Sequence, residues 1–397
     1  MAEIETITFN RFKQLELQGK LESSSSFLLL GPRQTGKSTI LANIFDAIPE
    51  EEQLRYYFQL PSQREIIESD PEVILRAVEA KRKEKPICLL IDEIQKIPKV
   101  MDVLQFLIDQ KKIVLAACGS SARKMKRMGT NWLPGRIFLE YLSPLSWQEC
   151  GLIQKPDNFK GHLLFGFLPG IVSKVDLKQK EELLASYAHL YLDEEIKMEA
   201  VVRNLPKFTK FLRLAALESG TSPNHTKISN QVGLSHTSIR DYFQILEDTL
   251  IIYRLEAFGT SRDSVLKTPK YYFFDVGVRN AAAPIGHSEG ILQLQMGVLF
   301  EHFIIQEIMC HLQHKAPLSH WRSKQDHEVD LIIEKDGGRI AVEIKATDKP
   351  VAADFKGLDV FREKYGCKTA LLVCQTSVAQ KFGNFLAIPW QKMWEYI

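Results

Sequence analysis

A glycine-rich segment, Gly31-Pro32-Arg33-Gln34-Thr35-Gly36-Lys37-Ser38, constrains the fold of this chain more than any other feature. It follows an apolar run, Phe27–Leu30, that predicts a buried strand, and it precedes a helical pattern that begins at Thr39. The spacing G-x-x-x-x-G-K-[ST] lets backbone N–H groups turn inward around phosphate oxygens at the positive end of a helix. We therefore predict an ATP site along this segment and Thr39, with Lys37 on the β and γ phosphates and Ser38 as a Mg²⁺ ligand.

Two carboxylates end a second apolar run, Ile87–Ile91, and lie where such a nucleotide site needs them. Asp92 is 55 residues after Lys37, and Glu93 follows it directly. We predict that Asp92 holds Mg²⁺ through water and that Glu93 polarises the water that attacks the γ phosphate. The alternative is an acidic residue pair that merely caps a strand.

The region 27–150 alternates short apolar runs with longer amphipathic stretches, which favours a parallel sheet with helices on both faces. The predicted strands are Phe27–Leu30, Arg55–Gln59, Ile87–Ile91, Ile113–Cys118 and Arg136–Tyr141.

Two further polar residues at strand ends are weaker candidates for the same site. Ser120 follows the strand that ends at Cys118, where a side chain can contact the γ phosphate or the water, but an ordinary turn serine is an alternative. Arg136 begins the next strand and is a candidate arginine finger for the nucleotide of a neighbouring subunit; a surface arginine is the alternative.

Length, charge and cysteine usage narrow the class of protein. A chain of 397 residues is expected to form about two to three domains. The net charge of +2 identifies no partner, so any nucleic-acid surface must be a local patch. The cysteines lack metal-site spacing and are expected to be free thiols. We predict no membrane segment and no signal peptide, and therefore a cytoplasmic protein.

Motifs that resemble those of one family extend along nearly the whole chain. They occupy Gly31–Thr39, Leu89–Pro98, Cys118–Ser121, Pro134–Ile137, Leu142–Glu149, Leu246–Ile252, Tyr272–Asn280, Gly297–Phe303, Glu328–Asp330 and Val342–Lys345. Together they resemble prokaryotic AAA-type ATPases with a C-terminal PD-(D/E)XK nuclease-like domain. The resemblance implies ATPase activity, with Gly36, Lys37, Ser38, Asp92 and Glu93 at the P-loop, Mg²⁺ and water-activating positions. Cys118 departs from the family, which usually has threonine there.

The expected architecture is an α/β multidomain protein. Its parts are an AAA-type P-loop NTPase core, a helical lid, a winged-helix segment, a linker and a C-terminal PD-(D/E)XK nuclease-like α/β domain. We predict their bounds as 1–155, 156–205, 206–258, 259–288 and 289–397.

The winged-helix prediction depends on two short helices, the second running from His236 to Asp248, and on an apolar wing strand over Leu250–Leu255. Ile239, Phe243 and Leu246 share one face of the second helix. His236, Thr237 and Arg240 lie on other faces and are plausible groove contacts. The region is only mildly basic, so a packing or protein-interaction module is the alternative.

The C-terminal region contains the pattern D…E-x-K, in Asp330, Glu343 and Lys345. These residues lie on two predicted strands joined across Asp336-Gly337-Gly338, a hairpin signal. A two-residue turn at 336–337 or 337–338 places all three on one sheet face, whereas a three-residue turn without a bulge separates them.

Two carboxylates and a lysine on one face are typical of a divalent-metal site in which the lysine orients water or stabilises the transition state. Asp330 and Glu343 are the predicted ligands and Lys345 the catalytic cation. Glu301, on the preceding helix, is a candidate further ligand, as in related folds. A solvated hairpin face and a degenerate nuclease fold used for binding are the alternatives.

Two functions follow from these patterns. One is a Mg²⁺-dependent ATPase whose nucleotide state is coupled to a DNA-binding or DNA-cleaving C-terminal domain. The other is a regulatory ATP switch that controls assembly or a protein partner and carries an inactive nuclease-like domain. ATP is the expected ligand under both, with DNA and a second copy of the chain as candidate partners.

Overall fold

The structure is a computed structural model, and it describes residues 9–120, 133–151, 159–188, 204–259, 268–283, 285–312 and 315–397. The chain forms two compact units. The first unit comprises Met1–Lys155, Leu168–Ser173 and Ile245–Ile251, and the second comprises the remainder. Residues 189–203 of the predicted lid lie outside the described ranges.

The described residues form helices in both units, and their labels follow the order of the chain. They are α1 (Phe12–Glu22), α2 (Lys37–Asp46), α3 (Pro61–Ser69), α4 (Val73–Lys81), α5 (Val100–Asp109), α6 (Trp147–Gly151), α7 (Phe159–Phe165), α8 (Pro169–Val172), α9 (Leu177–Ser186), α10 (Leu205–Leu217), α11 (His225–Val232), α12 (His236–Asp248), α13 (Val276–Ala282), α14 (Glu289–Leu312) and α15 (Lys356–Tyr365). Short 3-10 turns occur at Glu50–Glu52, Ile94–Lys96, Ala352–Phe355 and Trp390–Glu395. None of the helices in the described ranges combines the length and the apolar character that crossing a lipid bilayer needs.

The first unit contains a five-stranded parallel sheet. Its strands are β1 (Phe27–Leu30), β2 (Gln53–Tyr57), β3 (Ile87–Asp92), β4 (Ile113–Gly119) and β5 (Phe138–Tyr141), in the order β2-β3-β4-β1-β5. All four neighbouring pairs are parallel, as the alternation of apolar and amphipathic stretches predicts.

Both faces of this sheet are covered, which explains why its central strands are continuous apolar runs. Leu28 and Leu30 pack into one buried cluster, while Phe27 and Leu29 pack into the cluster on the opposite face. Successive side chains of a strand point to opposite faces, so a strand buried on both sides must be apolar throughout. The polar residues of the predicted site therefore lie at the ends of these strands and not within them.

The second unit contains an eight-stranded mixed sheet. Its strands are β6 (Ile252–Ala257), β7 (Lys270–Phe273), β8 (Leu318–Arg322), β9 (Glu328–Lys335), β10 (Gly338–Lys345), β11 (Thr369–Cys374), β12 (Gln380–Phe382) and β13 (Phe385–Pro389). Their order is β12-β13-β11-β10-β9-β8-β6-β7.

The hairpin of β9 and β10 has a two-residue turn at 336–337, one of the alternatives that the sequence left open. Gly338 pairs with Lys335, so Asp336 and Gly337 form the loop, and both have positive φ, 53° and 69°. Two central residues with positive φ characterise the type I′ turn, whose twist matches that of the strands. The pairing extends to Leu331 with Val342, and just beyond it Oδ2 of Asp330 accepts from the backbone N–H of Ile344 at 2.8 Å.

The predicted wing strand and linker have a different structure from the one expected. The strand is β6 rather than Leu250–Leu255, and it pairs with β7 and β8 inside the large sheet instead of forming a separate hairpin. The described part of the segment 259–288, which was predicted to be a linker, contains β7 and α13, both of which are buried. A wing strand and a strand inside a sheet have the same apolar pattern. Pairing with strands that are distant in the sequence therefore determined which of the two this segment forms.

Candidate functional site

The glycine-rich loop joins β1 to α2 as the spacing predicts. Gly36 caps α2 with φ of +94°, a left-handed conformation that favours glycine, and within the described chain no side chain caps this helix start. A Cβ on Gly31 would lie 2.4 Å from the backbone oxygen of Leu142, so the loop passes very close to the segment after β5. The N–H groups of the first helical turn thus remain available for an anion.

Lys37 lies over this loop rather than in solvent. Its Nζ donates to the backbone oxygens of Gly31 and Pro32, both at 2.8 Å, and the residue is buried. Burial lowers the pKa of Lys37, against the opposing effect of nearby acidic groups that include Glu93 and Asp92. The ammonium of Lys37 therefore lies over the loop, where the phosphate oxygens of a bound nucleotide would replace the two carbonyl oxygens that accept its hydrogen bonds.

Ser38 and Asp92 are in direct contact. The hydroxyl of Ser38 donates to both carboxylate oxygens of Asp92, at 3.0 and 3.1 Å. Gln59 donates to the same carboxylate at 3.0 Å, and the thiol of Cys118 donates to it at 2.6 Å. Burial and the neighbouring Asp92 raise the pKa of Cys118 well above its usual range, so the thiol keeps its proton. Cys118 therefore supplies the donor that a threonine hydroxyl would supply at that position.

Glu93 is held by two side chains at the end of β3. Gln95 donates to Oε2 of Glu93 at 2.5 Å, and the hydroxyl of Ser120 lies 3.4 Å from the same oxygen and 3.2 Å from Gln95. Glu93 has φ of 59°, a costly conformation for a residue with a side chain. The predicted Ser120 is thus beside the predicted water-activating carboxylate, while Gln95 was not predicted, because one polar residue in a turn carries no pattern.

Arg11 was also not predicted from the sequence, although its side chain is hydrogen-bonded to the phosphate loop. Its guanidinium donates to the backbone oxygen of Thr35 at 2.8 Å, to that of Ser143 at 2.8 Å and to Oε1 of Glu149 at 3.0 Å. Both charged side chains are only 6% exposed. This buried ion pair connects the residues before α1, the loop after β1 and the segment after β5.

Arg136 is far from the phosphate loop of its own chain. It forms an exposed ion pair with Asp109 at 2.6 Å, and it precedes β5. Because β5 runs parallel to β1, Arg136 lies near the start of β1, whereas the phosphate loop follows its end. A four-residue strand spans about 13 Å, so Arg136 lies about one strand length from the phosphate loop of its own chain. Its role as an arginine finger stays a prediction, and the ion pair with Asp109 fits the alternative of a surface arginine.

The hairpin of the second unit brings its predicted residues together. Oδ2 of Asp330 accepts from the backbone N–H of Ile344 at 2.8 Å, and Nζ of Lys345 lies 2.7 Å from Oε1 of Glu343. Burial raises the pKa of Asp330 well above its usual range, and Glu301 and Glu343 add to the effect. Burial also raises the pKa of Glu343, against the opposing effect of Lys345.

An unpredicted lysine lies among these carboxylates. Nζ of Lys270, on β7, is 2.6 Å from Glu328, 3.4 Å from Glu301 and 3.7 Å from Asp330. Burial alone would lower the pKa of Lys270, but the three carboxylates outweigh it and raise the pKa. We call Glu301, Glu328, Asp330 and Glu343 the acidic cluster.

The acidic cluster does not have the geometry of the predicted metal site. Within the described chain, no three His, Cys, Asp or Glu side chains are arranged so that they could hold a metal ion. Tyr272 donates to Glu301 at 2.7 Å, and Lys270 contacts three of the four carboxylates. The ammonium of Lys270 thus contacts two of the three predicted ligands, Glu301 and Asp330, and the assignment of Asp330, Glu343 and Glu301 as metal ligands stays a prediction.

A groove of about 840 Å³ lies beside α12 in the second unit. Among its lining residues are the predicted contacts His236, Thr237 and Arg240, which are all exposed, together with Arg254. Ile239, Phe243 and Leu246 of the same helix are buried, as their spacing predicts. The polar face of α12 is thus available to a ligand.

Three family models match successive parts of the chain. Residues 23–151 match the model of a family described as an AAA domain. Residues 156–289 and 296–393 match the models of two families described as domains of unknown function, DUF8612 and DUF4143. The parallel sheet with its phosphate loop and the first match together support a P-loop ATPase domain over residues 23–151.

Similar proteins occur in bacteria and archaea. The uncharacterized protein Rv2008c of Mycobacterium tuberculosis is 24% identical over 338 residues, which cover 84% of this chain and 73% of that protein. The uncharacterized protein MJ1637 of Methanocaldococcus jannaschii is 22% identical over 408 aligned positions, covering 92% and 83%. The solved structure of the Walker-type ATPase PABY2304 of Pyrococcus abyssi has a TM-score of 0.50 at 15% identity, over 69% of this chain and 96% of that one, and shows a likeness of fold.

Proposed function

We propose that the protein binds ATP together with Mg²⁺ and hydrolyses it in the first unit. The observation that carries the proposal is the contact of Ser38 with Asp92, at 3.0 Å, next to the buried ammonium of Lys37. A serine hydroxyl and an aspartate of this kind are the oxygen ligands that Mg²⁺ takes in P-loop sites. When bound, the ion would neutralise charge that develops on the phosphates.

Side chains and backbone groups of the chain itself would bind the phosphates and orient the attacking water. Lys37 would leave its two carbonyl partners for phosphate oxygens, and the N–H groups of the first turn of α2 would bind the same anion. Glu93 would accept hydrogen bonds from the attacking water and orient it. Because Gln95 already donates to Oε2, the water would be bound at the other oxygen of this carboxylate.

Two variants separate binding from hydrolysis. Lys37→Ala should abolish binding of ATP in calorimetry, whereas Glu93→Gln should keep binding and lower the turnover rate by about 100-fold or more. Lys99→Ala, which removes an exposed lysine, is the matched control and should behave as the wild type. Folded protein that shows no heat of binding for any adenine nucleotide would contradict the proposal, as would full turnover by Glu93→Gln.

We further propose that the groove beside α12 binds DNA and that nucleotide state and DNA binding are coupled. The groove is lined by Arg240 of α12 and Arg254 of β6 together with the carboxylate Asp241, and Arg254 is also paired with Glu256 at 2.8 Å. An exposed arginine near the start of a helix can contact phosphates and base edges. The net charge of +2 adds no general attraction, so binding must depend on this local group.

Fluorescence anisotropy with single- and double-stranded DNA tests this second part. Arg240→Ala should weaken binding at every sequence and reduce the salt slope by about 1. Arg213→Ala, an exposed arginine of α10 outside the groove, is the control. DNA should also change the ATP turnover rate. If no nucleic acid changes that rate and Arg240→Ala leaves affinity unaltered, the regulatory switch without DNA becomes the better description.

A further inference from the structure

Gln95 lies between the ends of two neighbouring strands of the first unit. Its amide nitrogen donates to Oε2 of Glu93, which follows β3, at 2.5 Å, and to the hydroxyl of Ser120, which follows β4, at 3.2 Å. Gln95 and Ser120 are both buried, so these contacts are shielded from solvent. An amide nitrogen has two hydrogens, and each is directed at one strand end. The side chain of Gln95 therefore ties the carboxylate of Glu93 to the end of β4.

The carboxylate of Glu93 sets the orientation of this amide, although the amide oxygen is then left without a donor. Oε1 of Gln95 is buried and accepts no hydrogen bond from the residues that the structure describes. Turning the amide over would direct Oε1 at the negative charge of Glu93. A buried oxygen without a donor is unfavourable, and so is the φ of 59° at Glu93. Two unfavourable features at one carboxylate indicate that the arrangement serves the position of that carboxylate and not the stability of the unit.

Gly119 leaves the space that the amide of Gln95 occupies. It is the last residue of β4, where the extended backbone does not itself require glycine. A Cβ at this position would lie 2.6 Å from Oε1 and 3.4 Å from Cδ of Gln95. The next atom that it would meet, Cδ2 of Leu30, is at an ordinary contact distance of 3.6 Å. Gly119→Ala would therefore displace the side chain of Gln95 and little else.

We propose that Gln95 is a positioning residue for the water-activating carboxylate. It fixes Oε2 of Glu93, leaves the other oxygen to the attacking water, and keeps its own place because Gly119 has no side chain. This inference rests on the ATPase activity proposed above and adds how its carboxylate is oriented. Because rates fall steeply when a reacting group is displaced by about 1 Å, loss of Gln95 should lower turnover and leave the affinity for nucleotide unchanged.

A double-mutant cycle in the full chain tests the proposal, with the wild type, Gln95→Ala, Gly119→Ala and the combined variant. Each single change should lower kcat about tenfold or more in a phosphate-release assay, with the Kd for a non-hydrolysable ATP analogue within about twofold in calorimetry. In the combined variant Gly119→Ala should cause no further loss, since no amide is left to displace. The matched controls are Gly19→Ala, whose Cβ meets nothing within 4 Å, and Gln110→Ala at an exposed position; both should keep the wild-type kcat.

Three results would overturn the proposal. The first is a folded Gln95→Ala with the wild-type kcat or a higher one, since Gln95 would then be dispensable or would restrain Glu93. The second is a single variant that loses affinity for the analogue, because the role would then lie in binding. The third is a loss on Gly119→Ala that is equally large in the Gln95→Ala background, because the added methyl group would then act on another residue.

The test remains decisive if a variant does not fold. Gln95→Met, which keeps the length of the side chain and removes the donor, then replaces Gln95→Ala. If neither folds, Gly119→Ala decides alone: a lower kcat at unchanged affinity supports the proposal, and the wild-type kcat overturns it. A wild type without ATP turnover would contradict the proposed ATPase activity and this inference together, whereas unaffected variants of an active wild type would contradict this inference only.

Discussion

Replacing Arg11 by methionine should destabilise the first unit strongly. The guanidinium of Arg11 is buried and donates to Glu149, Thr35 and Ser143 at 2.8–3.0 Å. Methionine fills a similar volume but donates nothing, so three backbone oxygens, the third being that of Pro144 at 3.2 Å, lose a donor. A carboxylate that is 6% exposed also loses its counter-ion.

The size of the effect follows from what is left behind. Removing one partner of a buried ion pair costs about 3–5 kcal/mol, because the remaining charge stays buried. Glu149 retains hydrogen bonds from the backbone N–H groups of Phe12 and Ser146, both at 2.9 Å, which places the expected loss near the lower end of that range. The phosphate loop also loses its contact at Thr35, so the affinity for ATP should fall as well.

Urea unfolding with hydrogen exchange, read on peptides from β1, isolates the stability of the first unit. Arg136→Met is the matched control, because Arg136 pairs with Asp109 at 2.6 Å but on the surface, and its loss should cost at most about 1 kcal/mol. The double variant with Glu149→Gln should recover part of the loss caused by Arg11→Met. A cost of Arg11→Met no larger than that of Arg136→Met would refute the reasoning.

Three further changes have defined outcomes. Cys118→Thr should preserve the donor to Asp92 and keep the ATP turnover rate within about threefold, whereas Cys118→Val should lower it by about tenfold, in a steady-state phosphate-release assay. Gly31→Ala should weaken ATP binding at least about tenfold in calorimetry, because its Cβ would lie 2.4 Å from a backbone oxygen. Burial lowers the pKa of His302 to about 3 and that of His162 to about 4, from 6.5. The unfolded chain therefore binds more protons below pH 6.5, and each histidine should cost the second unit on the order of 1 kcal/mol at pH 5.5 relative to pH 7.5 in urea unfolding; a flat profile would contradict this.

Local spacing alone determined the phosphate loop and the hairpin of the second unit. The loop depends on residues within one turn of chain, where two glycines permit the backbone path and the next two residues supply ammonium and hydroxyl. The hairpin register follows from the two-residue turn at Asp336 and Gly337, because each strand alternates its faces residue by residue. Asp92 and Glu93 were predictable because parallel strands end at one edge of the sheet.

Only the tertiary structure determined which partners the charged and polar side chains of the two candidate sites have. Arg11 meets Glu149 across 138 positions of sequence, and Gln95 meets Ser120 across 25. Lys270 reaches the acidic cluster because β7 belongs to the same sheet as β9 and β10, although its sequence context suggested a linker. Strand order and helix docking set such distances, and neither is encoded in the periodicity of a single element. The sequence therefore indicated which carboxylates gather, while the fold decided that a lysine lies among them.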